Sequence, residues 1–238
     1  MIDSLMLSAV RIRTLNFQQP KTNASGFYFQ RAERLFLVTA RHVVLDEASD
    51  HRPDALSIEM HTDPGNLAAT ADFFIPLYKD GQPLWRQGVD GAGEIDVAVI
   101  EIDKDALPAN STYCAFTPKH LLLADEHVEI GSPLLIVGFP LGFLDTLHRM
   151  PVARNAILAS SYGLRFQGLG YFLTDGRTHR GISGAPVVKR AGLGGELPWH
   201  LLGIHSARLL GDRDEDQDEV LGLNCTWYAD ILMTLTED

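Results

Sequence analysis

Three polar side chains in this sequence have the types needed for one hydrolytic reaction. His42 closely follows an apolar run, Asp96 lies at the start of another, and Ser183 occupies a turn flanked by glycines. Each has an ordinary interpretation on its own, as a core histidine, a strand-end carboxylate or a turn hydroxyl. Together they predict nucleophilic catalysis, because an imidazole can remove the serine proton and a carboxylate can hold the imidazole in the required tautomer.

The sequence around each of these residues resembles a signature of the trypsin-like peptidases of the chymotrypsin fold. The segments read TARH at 39–42, DVAV at 96–99 and GISG at 181–184, which is the order of the family pattern. The reactive residues are 54 and 87 positions apart. This spacing suits a family whose first barrel carries the histidine and aspartate and whose second barrel carries the serine.

The resemblance runs from about Ser25 to Arg208 and is closest to bacterial members of the family. SGF at 25–27 is similar to the strand that precedes the histidine in those proteins. GFPLG at 138–142 is similar to the Gly-x-Pro-x-Gly turn of HtrA-like proteases.

The resemblance implies a serine endopeptidase that works through an acyl-enzyme. Ser183 would be the nucleophile, His42 the general base and Asp96 the residue that orients His42. The backbone N–H groups of Gly181 and Ser183 would bind the oxyanion, a contribution of about 3 to 4 kcal/mol per donor. The implied partner is a protein or peptide substrate, with neither a metal nor an organic cofactor.

One position departs from the animal members of the family. They carry an aspartate immediately before the serine, where it pairs with a freshly cleaved N-terminus, whereas this chain has Ile182. We therefore expect either constitutive activity or activation by a partner or effector that orders residues 175–182.

The expected substrate pocket contains Thr178 and His205, which resemble the Thr and His of glutamyl endopeptidases and of the Gln-selective picornavirus proteases. Ser206 would help to position the substrate backbone, and Arg177 and Arg208 could add positive potential. A hydroxyl and an imidazole can bind a carboxylate or carboxamide, and a protonated imidazole favours the carboxylate. The residues predict a preference for Glu before the scissile bond, then Gln or Asp.

Two other functions use the same fold and residues. A catalytically silent protease fold could serve as a binding module, and the same triad could act as an esterase. The fold alone does not choose between these activities.

Short β-like runs recur along the chain between turn signals, which favours an all-β sandwich or barrel. The eleven runs are 5–13, 26–30, 34–39, 56–61, 95–102, 134–139, 152–160, 171–174, 185–189, 201–205 and 220–225. A terminal helix is predicted by the spacing of Trp227, Ile231, Leu232 and Leu235, with Thr226 as its cap. The resemblance makes this two six-stranded antiparallel β-barrels of the chymotrypsin type, approximately 1–115 and 116–225, followed by a C-terminal α-helix at 226–238.

Composition limits the partners and the location. The net charge of −11 disfavours nucleic acid. The most apolar stretch, 133–144, is short and broken by Pro and Gly, so no membrane span is expected. No signal peptide is evident, and Cys114 and Cys225 allow at most one disulfide, which favours a cytoplasmic location. The acidic run 212–219 lacks the pattern of a calcium loop, and we expect it to be a solvated loop without metal.

Overall fold

The computed structural model describes residues 2–123, 126–192, 195–209 and 222–237. Antiparallel β-strands dominate these ranges, with two short α-helices. The strands are β1 Ala9–Asn16, β2 Gln19–Arg31, β3 Arg34–Thr39, β4 Ala55–His61, β5 Thr70–Pro76, β6 Tyr78–Lys79, β7 Gln82–Pro83, β8 Trp85–Asp90, β9 Gly93–Ile102, β10 Pro133–Gly138, β11 Val152–Leu158, β12 Tyr171–Asp175, β13 Pro186–Arg190, β14 Trp199–Arg208 and β15 Leu223–Tyr228, and the helices are α1 Arg41–Val44 and α2 Ile231–Leu235.

The first half of the chain forms a seven-stranded antiparallel sheet, here called the N-terminal sheet. Its strand order is β5-β4-β1-β2-β3-β9-β8. Strand β3 is buried along nearly its whole length because it packs on both faces. Leu35 and Leu37 belong to the apolar core of the N-terminal half. Val38 points to the other face and belongs to a second apolar cluster.

The second half forms a closed six-stranded barrel, here called the C-terminal barrel, in the order β10-β11-β12-β15-β14-β13. Its interior is filled by alternate residues of the strands, among them Ile136, Leu158, Phe172 and Leu202. Closure of the barrel gives each strand two hydrogen-bonded neighbours and leaves no edge.

A shared core joins the two halves. It combines Phe27, Val38 and Val97 of the N-terminal sheet with Val188 and Ile204 of the C-terminal barrel. The C-terminal helix α2 packs onto the same cluster. The relative position of the two halves is therefore set by apolar packing, which also sets the position of the site between them.

The all-β chymotrypsin-type fold is confirmed, with two differences of detail. The N-terminal half has seven strands in its sheet because β5 and β8, which were not expected, pair with β4 and β9. The C-terminal helix begins at Ile231 and not at Thr226, since residues 223–228 pair with β12 and β14 as a strand.

Three remaining expectations concern membrane helices, the cysteines and the acidic run. Neither helix of the described ranges has the length and apolar character to cross a membrane. Cys114 and Cys225 are both free thiols. The run 212–219, predicted to be a solvated acidic loop, and the first two residues of the predicted strand 220–225 lie outside the described residues.

Candidate active site

His42 and Asp96 are brought together by two neighbouring strands of the N-terminal sheet. Strand β3 pairs with β9, with Thr39 opposite Ala98. Helix α1 begins at Arg41, two residues after the end of β3, and carries His42 back toward the start of β9. The His42 backbone N–H donates to Asp96 Oδ1 at 2.9 Å, and His42 Nδ1 lies 2.8 Å from Asp96 Oδ2. The carboxylate thus holds both the backbone and the ring of the histidine.

A third hydrogen bond to Asp96 comes from the C-terminal barrel. The hydroxyl of Ser206 donates to Asp96 Oδ2. Ser206 lies where the register of β14 and β15 shifts between His205 and Ala207. Such a bulge redirects a side chain that regular pairing would aim elsewhere. The sequence suggested that Ser206 positions the substrate backbone, but not that its hydroxyl fixes the aspartate.

These contacts shift the pKa values of His42 and Asp96 in opposite directions. Burial of Asp96 opposes ionisation, but the hydrogen bond and charge of His42 and the hydroxyl of Ser206 outweigh it, so the Asp96 pKa lies below its ordinary value. Burial of His42 opposes protonation, but Asp96, assisted by the charge of Asp46, outweighs it and raises the His42 pKa. A base with a raised pKa accepts a proton more readily.

Ser183 lies in the turn between β12 and β13, pressed against the N-terminal sheet. The Ser25 N–H donates to the Ser183 carbonyl at 2.9 Å. Gly184 approaches so closely that a Cβ there would lie 2.2 Å from the Ser25 carbonyl oxygen and 2.9 Å from the Ala40 nitrogen. Its φ of +86° also favours glycine. The turn that carries Ser183 therefore packs against Ala40, which lies two residues before His42 in the sequence.

No hydrogen bond joins the Ser183 hydroxyl to His42 in the part of the chain that the structure describes. Catalytic hydrogen bonds are often long in the absence of substrate and tighten when it binds. The candidate nucleophile and base thus lie on adjoining segments, with only the base already hydrogen-bonded to its orienting acid.

The backbone N–H groups of Gly181 and Ser183 are free to bind an anion. Neither donates to any acceptor within the described ranges. Their carbonyls are occupied by Ser25, whose hydroxyl donates to Gly181 and whose N–H donates to Ser183. An oxyanion site requires donors that are unpaired before the charge develops, and both of these N–H groups meet that condition.

A cavity of about 300 Å³ opens beside this turn. Its lining residues are Asp175, Gly176, Arg177, Thr178, His179, Arg208, Gly222, Leu223 and Asn224. Three of the predicted pocket residues, Arg177, Thr178 and Arg208, are therefore found together at one cavity.

His205 does not line this cavity. It is only 2% exposed. Burial, followed by the nearby charge of His42, lowers the pKa of His205 to about 3. Burial thus keeps the ring neutral near neutral pH, which gives no support to the expectation that a protonated His205 favours an acidic substrate.

Asn224, which the sequence analysis missed, is the buried amide of the cavity wall. The Thr178 hydroxyl donates to Asn224 Oδ1 at 2.5 Å. Asn224 Nδ2 donates to the carbonyls of Thr174, Gly176 and Gly222. The signal available in the sequence was an amide side chain within the segment LNCTWY. An amide that becomes buried in a strand requires hydrogen-bond partners. Its partners are brought near only by the fold.

Two further features of the site concern metal binding and the position of Ile182 in the turn before Ser183. The described residues contain no group of three or more His, Cys, Asp or Glu side chains suited to a metal ion. Ile182 is 1% exposed and packs in the core of the C-terminal barrel.

The architecture is that of the chymotrypsin fold. Residues 24–193 match the family model of the trypsin-like peptidase domain. The chain therefore belongs to the trypsin-like peptidase family.

Two solved structures show how far the likeness extends. The serine endoprotease from Yersinia pestis is 16% identical, with a TM-score of 0.57 over 97% of this chain and 62% of that one. The chain thus spans less than two thirds of that protein. The active form of the Rv3671c protease from M. tuberculosis is 15% identical, with a TM-score of 0.53 over 97% of this chain and 80% of that one. No curated protein shows significant sequence similarity.

Proposed function

We propose that the chain hydrolyses peptide bonds with Ser183 as nucleophile, His42 as general base and Asp96 as the orienting acid. The observation that carries this proposal is the set of three hydrogen bonds on Asp96, two from His42 and one from Ser206. A carboxylate held in this way fixes the imidazole with its other nitrogen available for a serine proton.

The proposed reaction proceeds through an acyl-enzyme. His42 takes the Ser183 proton as the hydroxyl attacks the substrate carbonyl, and the negative oxygen is bound by the N–H groups of Gly181 and Ser183. His42 then protonates the leaving amine, and water repeats the sequence on the ester. Asp96 remains ionised throughout, consistent with its lowered pKa.

The proposed selectivity is for Glu before the scissile bond, followed by Gln or Asp. Arg177 and Arg208 place two positive charges on the cavity, opposed by the single negative charge of Asp175. This balance supports binding of a carboxylate. The Thr178 hydroxyl proton is committed to Asn224, so its oxygen can accept but not donate, which supports secondary acceptance of a carboxamide.

The triad is tested by Ser183→Ala, His42→Ala and Asp96→Asn. Each should lower kcat by about 10⁴ to 10⁶, and the losses should not add, because the three residues act as a unit. The measurements are cleavage of a peptide library and labelling of Ser183 by a fluorophosphonate probe.

Wild-type peptidase activity retained in Ser183→Ala would contradict the assignment. A folded wild type that neither cleaves nor labels would instead indicate the binding module, and cleavage of esters without peptides would indicate the esterase. Activity is expected without N-terminal processing, or on addition of a partner that orders residues 175–182. Mass spectrometry of the active species can check whether its N-terminus has been processed.

The cavity is tested by Arg177→Ala and Arg208→Ala, with Arg165→Ala as the control because Arg165 is an exposed arginine paired with Asp90. Each cavity variant should lower the ratio of kcat/KM for Glu to that for Gln by about 2- to 5-fold, the size expected for an exposed charge pair. Added salt should also lower the wild-type ratio, since exposed charges are screened.

The pH dependence separates the two arginines from His205. In a His179→Ala background, which removes the histidine that lines the cavity, the Glu-to-Gln ratio should stay constant between about pH 6 and pH 9, because the pKa of His205 is about 3. A library profile dominated by Lys, Arg or small apolar residues would contradict the proposed selectivity and leave the triad unaffected.

A further inference from the structure

Ser25 of strand β2 is fully buried. Its N–H, its carbonyl and its hydroxyl all form hydrogen bonds with residues in or next to the candidate active site. Its N–H donates to the Ser183 carbonyl at 2.9 Å. Its carbonyl accepts from the Thr39 hydroxyl at 2.8 Å. Its own hydroxyl donates to the Gly181 carbonyl at 2.8 Å and accepts from the Phe139 N–H at 2.9 Å. Ser25 of the N-terminal sheet thus contacts strand β3, which precedes His42, and two segments of the C-terminal half, at Phe139 and at 181–183.

The space around the Ser25 side chain is tightly filled. A Cβ on Gly138 would lie 2.5 Å from the Ser25 hydroxyl oxygen, and a Cβ on Gly184 would lie 2.2 Å from the Ser25 carbonyl oxygen. Both glycines therefore serve the close approach of two backbones to this serine. Interiors packed at this density hold their groups in a single arrangement.

The hydroxyl of Ser25 restrains the glycine that would donate to the oxyanion. Gly181 has a φ of +90° and no side chain, so the peptide groups on either side of it can reorient at low cost. A peptide group is planar, and fixing its carbonyl also fixes the direction of its N–H. The bond from Ser25 holds the Gly181 carbonyl, on the peptide that follows the glycine.

The peptide that precedes Gly181 is also held, through a second branch from the same hydroxyl. Its carbonyl belongs to Arg180 and accepts from the Leu141 N–H at 2.6 Å. Leu141 follows Phe139 by two residues, and the Phe139 N–H donates to Ser25. The Ser25 hydroxyl therefore holds one flanking peptide directly and orders the turn that holds the other.

We propose that Ser25 is a positioning residue that keeps the Gly181 N–H directed at the oxyanion, an inference that rests on the proposed function. It touches no reacting atom. Its effect is to keep the donor in place before the transition state forms, so that no reorganisation is needed during the reaction. The consequence should therefore appear in kcat and not in substrate binding.

The test compares Ser25→Ala with Ser8→Ala. Ser8 is a matched control, since it is also fully buried and its hydroxyl donates to a backbone carbonyl, that of Leu5, at 2.8 Å. Hydrolysis of p-nitrophenyl acetate and of the best library peptide should lose about 10- to 100-fold in kcat in Ser25→Ala, less than the full loss of one oxyanion donor. KM should change little, and Ser8→Ala should retain wild-type kcat.

The pH profile distinguishes positioning of Gly181 from damage to His42. In Ser25→Ala the acidic midpoint of kcat/KM should remain at its wild-type pH, because the bonds between His42 and Asp96 are untouched. Circular dichroism and thermal unfolding establish that both variants fold. If Ser25→Ala does not fold, Ser25→Cys keeps a weaker donor at the same position and should lose several-fold in kcat by the same pattern.

A kcat in Ser25→Ala or Ser25→Cys equal to that of Ser8→Ala would overturn the inference, as would a loss confined to KM or a moved acidic midpoint. The proposed function is judged separately, by whether wild-type hydrolysis depends on Ser183. A wild type with Ser183-dependent hydrolysis and an unaffected Ser25→Ala would reject the role of Ser25 alone.

Discussion

At the scale of single residues, the site depends on a carboxylate that is stabilised from three directions. Asp96 accepts from the ring and backbone of His42 and from the Ser206 hydroxyl. An ionised carboxylate so close to an apolar core would be costly without these donors. The same bonds fix the imidazole, so one set of contacts stabilises the charge and orients the base.

The raised pKa of His42 gives a prediction for pH dependence. The general base must be neutral, so kcat/KM should fall as the pH decreases through a value above the ordinary histidine pKa. In Asp96→Asn the carboxylate that raises this pKa is lost, so the acidic midpoint should move to lower pH while kcat falls about 10⁴-fold.

Kinetic pH profiles of wild type and Asp96→Asn measure this shift. Asp50→Asn is a suitable control, because the Asp50 side chain is 90% exposed and pairs with the exposed Arg52. A midpoint that stays or rises in Asp96→Asn would show that Asp96 does not set the basicity of His42.

At the scale of elements, the strands that could be predicted are those with buried faces. Strand β3 and most of β9 are continuous apolar runs, and both were expected. The two strands missed in the N-terminal sheet, β5 and β8, are its two edges. Both alternate weakly because most of their residues are partly or fully exposed. A strand whose sequence is not shaped by burial gives no periodic signal.

The end of the chain shows how one pattern can fit two elements. Ile231, Leu232 and Leu235 do lie on a helix, but Trp227 belongs to β15. Its cross-strand partners are Tyr171 and Ile204. Trp227, four positions before Ile231, fits the pattern of a helix face and equally that of a strand end. Its pairing with β12 and β14 of the C-terminal barrel places it in a strand.

The candidate site was predictable to the extent that its chemistry lies in local motifs. His42, Asp96 and Ser183 each sit in a short recognisable segment. The roles of Asn224 and Ser25 depend on carbonyls and N–H groups that are distant in sequence. The burial of His205 was likewise not predictable, because sequence shows residue type but not burial, and burial lowers the pKa of an imidazole.

At the scale of the whole molecule, the shared core makes the stability of one half depend on the other. Leu232 of helix α2 is fully buried in this cluster, beside residues of the N-terminal sheet and the C-terminal barrel. Leu232→Ala should lower the free energy of unfolding by about 2 to 5 kcal/mol, from lost apolar contact and the cavity left behind.

Denaturant unfolding of the purified variant measures this loss. Leu164→Ala is the control, because Leu164 is 70% exposed and its truncation should change stability by less than about 0.5 kcal/mol. Equal stability of Leu232→Ala and wild type would show that helix α2 is dispensable for joining the halves.

The bond from Ser206 to Asp96 also has a consequence for the cell that makes the chain. During translation His42 and Asp96 emerge before Ser183 and Ser206. On the proposed mechanism, a nascent chain or a fragment truncated before residue 183 contains no nucleophile, and one truncated before 206 lacks a donor to the orienting acid. On the proposed mechanism, hydrolysis therefore cannot begin until the C-terminal barrel has been synthesised.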